Sequence, residues 1–262
     1  MILTIDVGNS HIHAGLFDSN NLVLQFRYTT ISAYGSSDQI GIFFKQAIVE
    51  NKFDPLKIKG VAISSVVPGI NYSLRSAILK YFFIEPFFLS TKMKTDLKIK
   101  VKSPESVGID RIAGCVSAIN LFPDKDILII DLGTATVFDV VKSDKSYLSG
   151  AILPGVKISF DSLSKKAAQL SSVSIIKPRK VIGDDIDTNL QSGIYYGHLG
   201  ALKELKKSII QELNLKNKNS INLFTIATGG FAHLFDVDNL FDMVIPELVL
   251  SGIKISYMKN HL

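Results

Sequence analysis

Two α/β domains of related topology are the architecture this sequence predicts, on three observations. Short apolar runs alternate with segments of helical period, the pattern of strands covered by helices. The stretch ILTIDVGNSHIHAGLF (2–17) is echoed by ILIIDLGTATVFDVV (127–141). In both, an apolar run ends at an Asp, one apolar residue precedes a Gly, and a second strand follows, so Asp6 and Gly8 recur as Asp131 and Gly133. A chain of 262 residues also exceeds the usual size of one hydrophobic core. The expected division is 1–117 and 118–262, with the final helix, 247–262, a candidate to return to the first domain.

The elements follow in order. ILTI (2–5) reads as a buried strand, and HIHAGLFD with LVLQFRYTT as an antiparallel pair around Asp18-Ser19-Asn20-Asn21. Ile40, Phe43, Phe44, Ala47 and Ile48 recur at helical intervals in 38–50. GVAISSVVP (60–68) reads as a strand ended by Pro68, YSLRSAILKYF (72–82) as a helix and PFFLS (86–90) as a strand. Ile112, Cys115, Val116 and Ile119 mark one face of a helix entered through Gly108-Ile109-Asp110. After the hairpin at 127–141, SGAILPGVKIS reads as loop-rich around Pro154 and Gly155, and a helix follows around 159–169. A polar connection leads to the helix LQSGIYYGHLGALKELKKSIIQEL, then to strand, Thr-Gly-Gly turn and helix in INLFTIATGGFAHLF. The end, VLSGIKISYMKN, has helical spacing despite Gly252.

Composition removes several classes. Hydrophobic residues make up 47% and charged residues 20%, which excludes a disordered chain. The net charge of +5 is spread out, with patches only at 94–102 and 203–208, so no nucleic-acid partner is expected. The single cysteine, Cys115, excludes an internal disulfide and lies on an apolar helix face as a buried, inert thiol. With no basic leader and no apolar stretch of membrane-spanning length, a cytoplasmic protein without membrane insertion is expected.

A hairpin turn carrying Asp, Gly and a small polar residue suits a nucleotide triphosphate. The glycine admits phosphate oxygens to backbone N–H groups, Asn9 or Thr134 offers a side chain, and the carboxylate holds a screening cation. A single such turn reads equally well as an Asx turn closing a hairpin. Two copies favour a clamp made from facing hairpins. ATGGF (227–231) adds a glycine turn suited to close approach of a base, a sugar or an anion. His11 and His13 share one strand face and form a possible metal pair, but lack a third ligand nearby, so phosphate contact is the better reading. Asp139, placed like Asp18, reads as a turn residue.

DVGNS, DLGTAT and ATGG in this order resemble the superfamily of sugar kinases, actin and heat-shock chaperones. With SSVVP, GIDR, SGAILPG, QSGIYYG and ATGGFA added, nearly the whole chain is similar to type III pantothenate kinases. The resemblance implies two ribonuclease-H-like, actin-type ATPase domains with mixed sheets and flanking helices. It implies ATP-dependent phosphorylation of pantothenate to 4'-phosphopantothenate, the first step of coenzyme A biosynthesis. Carried over by position, Asp6, Val7, Gly8, Asn9, Ser10, His11, Ile12 and His13 would embrace the ATP phosphates. Thr134, Gly229 and Gly230 would complete the nucleotide site. Asp131 would hold a monovalent cation, potassium or ammonium, while magnesium arrives with ATP. Gly108, Ile109, Asp110 and Arg111 would line the pantothenate site, with Asp110 as catalytic base. The chemistry agrees: transfer to a primary hydroxyl needs a carboxylate to accept the proton, and a guanidinium suits an acceptor that bears a carboxylate. Without the family, Asp110 reads equally well as a helix cap beside a solvated Arg111.

Two positions depart from the family pattern. Val101 stands where a tyrosine is common, and Ile186 where a threonine contacts pantothenate, often from a partner subunit, unless the register slips to Thr188. Both touch the acceptor pocket and leave the nucleotide turns intact. A homodimer is expected from this family habit and from the apolar helix carrying Ile194, Tyr195, Leu199 and Leu202 with Gly193, Gly197 and Gly200. The rival readings are a nucleotide-binding regulator without turnover and a kinase for a sugar or another small alcohol.

Overall fold

The computed structural model describes residues 1–166, 173–217 and 223–261. The predicted helix beyond 166 and the first two residues of INLFTIAT lie outside them. The chain forms two compact units, Met1–Leu121 with Glu247–Leu262, and Phe122–Pro246.

The first unit runs β1 (Ile2–Val7), β2 (His11–Asp18), β3 (Asn21–Thr29), α1 (Ser37–Glu50), β4 (Gly60–Ser65), α2 (Asn71–Phe82), β5 (Phe87–Phe88), β6 (Lys98–Ile99) and α3 (Ile109–Leu121), and α6 (Leu248–His261) completes it. Its five-stranded sheet has the order β3-β2-β1-β4-β5. β1 pairs antiparallel with β2 and parallel with β4, so it is the central strand. Leu3, Ile5 and Val7 point to one face and are wholly buried among Ile40, Phe44 and Ile48 of α1 and Leu74, Ala77 and Ile78 of α2. Ser36 caps α1 by accepting the Gln39 N–H (3.2 Å). Strand β4 ends at Ser65, short of the predicted Pro68, which instead opens a single 3₁₀ turn.

On the opposite face α6 packs against β1 and, more intimately, against α3. Gly252 is the reason the two helices approach so closely: a methyl group there would collide with the backbone carbonyl of Ala113. The residue that weakens the helix by propensity is therefore demanded by its packing. Asn260 adds hydrogen bonds in both directions to the backbone of Lys94 (2.9 and 3.1 Å).

The second unit contains β7 (Ile127–Leu132), β8 (Ala135–Val141), β9 (Ser146–Pro154), α4 (Val156–Lys166), α5 (Ile186–Asn217), β10 (Phe224–Thr228) and β11 (Met243–Val244). Its strands run β11-β10-β7-β8-β9. Again the first strand is central, antiparallel to the second and parallel to the strand that follows the helices. The duplication read from Asp6 and Asp131 is thus a duplication of topology, as expected for an actin-type ATPase fold.

Several expectations are corrected here. SGAILP is the second half of strand β9, paired with β8: Gly150 lies too close to the Phe138 carbonyl for a side chain, and Pro154 falls at the last position of the strand. After ATGG the chain makes only a 3₁₀ turn, Ala232–Phe235. Asp139 is no turn residue: it sits inside β8, is 3% exposed and accepts the Tyr147 hydroxyl (2.7 Å). Tyr195, Leu199 and Leu202 belong to the unit's own core, where Tyr195 stacks on Phe235 at 5.2 Å. The open face of α5 is instead the one carrying Gly193, Gly197 and Gly200, around which a methyl group would meet no described atom within 4 Å.

Gly252→Ala should therefore destabilise the fold by about 1–3 kcal/mol through overpacking. Gly197→Ala, on the open face, should be neutral or stabilising by up to ~1 kcal/mol through helix propensity. Urea unfolding of both variants checks the contrast, and equal effects would contradict this packing.

Candidate active site

In the first unit β1 ends on Asp6 and Val7, and Gly8-Asn9-Ser10 turn the chain into β2. The Gly8 N–H donates to the His11 carbonyl (3.0 Å) and closes the turn. Asp6 is half-buried, Asn9, Ser10 and His11 are exposed, and Val7 and Ile12 are wholly buried. Those last two side chains serve the core, so what they offer a nucleotide is backbone. The Asp6 carboxylate accepts the Ser64 hydroxyl (3.0 Å) from its neighbour in β4. The Val66 N–H donates to the Val7 carbonyl (3.1 Å) and brings the end of β4 alongside the turn. This is the edge beyond the strand C-termini where open α/β sheets bind ligands.

His13 lies two residues along β2, half-buried, with Nε2–H donating to Gln25 Oε1 (3.0 Å). Burial and, secondarily, the nearby Arg27 lower its pKa to about 4, against the opposing effect of the Gln25 bond. It is a neutral imidazole at physiological pH, committed to β3. Among the described residues no group of three His, Cys, Asp or Glu side chains gathers to hold a metal.

Gly108 precedes α3, its carbonyl accepting the Ile112 N–H (3.2 Å), while Ile109 and Asp110 form the first turn. Ile109 is buried, and Asp110 and Arg111 are half-buried. The Asp110 carboxylate accepts the backbone N–H of Arg111 (2.7 Å) and leans over Gly108, where a side chain would strike it. Negative charge at a helix N-terminus is favourable, so the helix supports this carboxylate as an anion.

In the second unit Asp131 pairs with Thr228 of β10, and the turn Gly133-Thr134 leads into β8. The two glycine turns of this unit meet at Asp131. Gly229 has φ +89, a conformation that favours glycine, and a side chain there would hit the Asp131 carboxylate and the Leu132 backbone. Phe231 N–H donates to the Leu132 carbonyl (3.1 Å) and fastens one turn to the other. Thr134 and Gly230 are exposed beside them, and the Thr134 carbonyl accepts the Gly155 N–H (3.2 Å). The structure thus gathers Asp6 to His13 and Gly108 to Arg111 in one unit, and Asp131, Thr134, Gly229 and Gly230 at one edge of the other.

Sequence reasoning overlooked the bracing behind these turns. Thr136, at the base of the second turn, shares a hydrogen bond with His198 of α5 (3.0 Å); both are buried, and burial lowers the His198 pKa. Such contacts join residues 62 positions apart and leave no local signal. Of the two departures from the family pattern, Val101 is half-buried and Ile186 is 56% exposed at the first position of α5. Thr188 is spent on the helix cap: its N–H (2.8 Å) and hydroxyl (2.6 Å) both donate to the Asp185 carboxylate, holding that acid below its usual pKa.

Comparison with known proteins decides the family. A family model for type III pantothenate kinase matches residues 2–208. The chain belongs to the type III pantothenate kinase family. Two relatives carry that family name over full length: type III pantothenate kinase 1 of Francisella tularensis subsp. tularensis (strain SCHU S4 / Schu 4) is 53% identical, covering 100% of this chain and 98% of its own. The type III pantothenate kinase of Legionella pneumophila (strain Paris) is 49% identical, covering 99% of each. Among solved structures, a Campylobacter jejuni chain described as a conserved Baf-family transcriptional activator superposes with TM-score 0.58 at 20% identity, covering 98% of both chains. A chain from Sinorhizobium meliloti described as a 2-dehydro-3-deoxygalactonokinase superposes with TM-score 0.54 at 10% identity, covering 98% of this chain and 96% of its own. At such identities these two show a shared fold only.

The lowered pKa of His13 makes a stability prediction with a definite sign. Above its unfolded value of 6.5 the group is neutral in both states, and its contribution does not change with pH. As pH falls from 6.5 through about 4 the unfolded chain takes the proton first, so stability is lost. His13→Gln should flatten that part of the acid decline in urea midpoint. A decline as steep as the parent's would assign it to other groups.

Proposed function

We propose that this member of the type III pantothenate kinase family transfers the γ-phosphoryl group of ATP to the primary hydroxyl of pantothenate. The product is 4'-phosphopantothenate, and the step opens coenzyme A biosynthesis in the cytoplasm. The observation that carries the reading is the pairing of Asp-Gly turns at equivalent strand ends with Asp110-Arg111 opening α3, in a chain related over its full length to pantothenate kinases. In this reading the backbone of Gly8 to Ser10 and the Thr134 side chain position the phosphates. Asp110 accepts the hydroxyl proton, and Arg111 attracts the pantothenate carboxylate. Asp110 in place, in company with kinases so similar, favours turnover over the regulator reading.

Magnesium comes with the nucleotide as part of the substrate. The residues around Asp131 also fit a monovalent cation: one carboxylate beside a turn rich in backbone carbonyls is a hard oxygen set of low total charge. When bound, the cation supplies positive charge near the phosphates. The chain's own part is to hold the Asp131 carboxylate against Gly229 so that it faces the turn.

The homodimer is proposed on the open glycine face of α5 and on the exposed Val181, Ile182 and Ile186 at its start. Gly193, Gly197 and Gly200 would let a second backbone approach closely.

Asp110→Asn should keep ATP binding and fold while losing about 10²- to 10⁴-fold in turnover. Pantothenate-dependent ADP release measures it, and near-native turnover would remove Asp110 as base. Asp131→Asn should flatten the activation curve in potassium or ammonium at constant ionic strength, whereas an unaltered curve would place the cation elsewhere. Light scattering should give twice the 28.8 kDa chain mass for the parent and a smaller species for Gly197→Arg. A fully active parental monomer would refute the dimer.

A further inference from the structure

The first phosphate turn is held from behind by two hydroxyls that belong to neither the nucleotide set nor the acceptor set. Ser64 is wholly buried in β4, and its Oγ donates to Asp6 Oδ1 at 3.0 Å. Thr30, 1% exposed in the segment just after β3, makes two bonds to the turn itself: its Oγ1 donates to the Gly8 carbonyl (2.6 Å) and its N–H to the Ser10 carbonyl (3.1 Å). Each bond has a directional consequence. A trans peptide points C=O and N–H in opposite directions, so drawing the Gly8 carbonyl towards Thr30 turns the Asn9 N–H away from Thr30. Holding the Asp6 carboxylate by one oxygen removes rotamers that would carry it off the turn. Both side chains are buried, so removing either hydroxyl takes away one donor to the turn and loosens the group it fixed.

We propose that Ser64 and Thr30 are positioning residues for phosphoryl transfer, Ser64 acting through Asp6 and Thr30 through the Gly8 and Ser10 carbonyls. The inference rests on the reading that Asp6 to His13 embrace the ATP phosphates. Preorganised donors are effective because they need not reorient during the reaction. The loss should therefore appear in the use of ATP and not in the affinity for pantothenate.

The test measures Mg·ATP binding by calorimetry and the Michaelis constants for ATP and pantothenate separately, in Ser64→Ala, Asp6→Asn, the double variant, Thr30→Val and Thr30→Ser. Ser64→Ala and Thr30→Val should each weaken ATP binding about ten- to a hundredfold, with the pantothenate constant unmoved. Thr30→Ser, which keeps the hydroxyl, should return ATP binding to near the parental value. Because Ser64 acts through Asp6, the double variant should be no worse than Asp6→Asn alone, whereas independent roles would multiply. Multiplying effects, parental ATP binding in Thr30→Val, or equal losses for both substrates would overturn the inference while the turn's assignment stands. Parental ATP binding in Asp6→Asn would instead overturn the assignment of the turn to the phosphates, and the inference with it. If Ser64→Ala fails to fold, the Thr30→Val and Thr30→Ser pair decides.

Discussion

A carboxylate at the end of a buried central strand is the constraint around which each unit is arranged. Such a group is costly to desolvate and is tolerated only where donors or a cation meet it. In the first unit a buried serine on the parallel neighbour meets Asp6; in the second a glycine of positive φ makes room for Asp131. Both answers require the central strand to pair in parallel with a strand from further along the chain. The antiparallel second strand then presents the glycine turn; in the first unit α1 and α2 cover one face of the sheet and α6 packs on the other, and in the second α4 and α5 join one core. The repeated strand order is one way of satisfying this twice.

Much of that arrangement was legible in the sequence, because strand ends and turns are local chemistry. Asp6-Val7-Gly8 and Asp131-Leu132-Gly133 announce themselves by composition, and α1, α2 and α3 by apolar spacing. What escaped depends on distant partners. Strand β9 looked like a loop because Gly150 and Pro154 disfavour strands in isolation, yet its pairing with β8 overrides that preference. The apolar residues of α5 looked like surface left over for a second subunit, whereas Tyr195, Leu199 and Leu202 are claimed by the unit's own core. Asp139 carried the signature of a turn and proved to be half of a buried pair with Tyr147.

The site residues divide along the same line. Their identities were readable from the turns and from GIDR, whereas the bonds that orient them, from Ser64, Thr30 and His198, span 22 to 62 residues. The acceptor side shows the opposite difficulty. Thr188 looked available to replace the threonine missing at Ile186, but the capping of α5 by Asp185 already employs its hydroxyl.

The passage of the C-terminal helix back to the first unit has a consequence for how the molecule is made. The second unit is continuous in sequence, but the first needs α6 against α3 before its helical face is covered. On a ribosome, the N-terminal sheet emerges early and waits with that face bare, while the later-synthesised unit can finish first, reversing the usual N-to-C order of maturation. The interval before α6 is made is when that face of the nascent chain is exposed to aggregation, and a chain cut short before α6 would keep it bare.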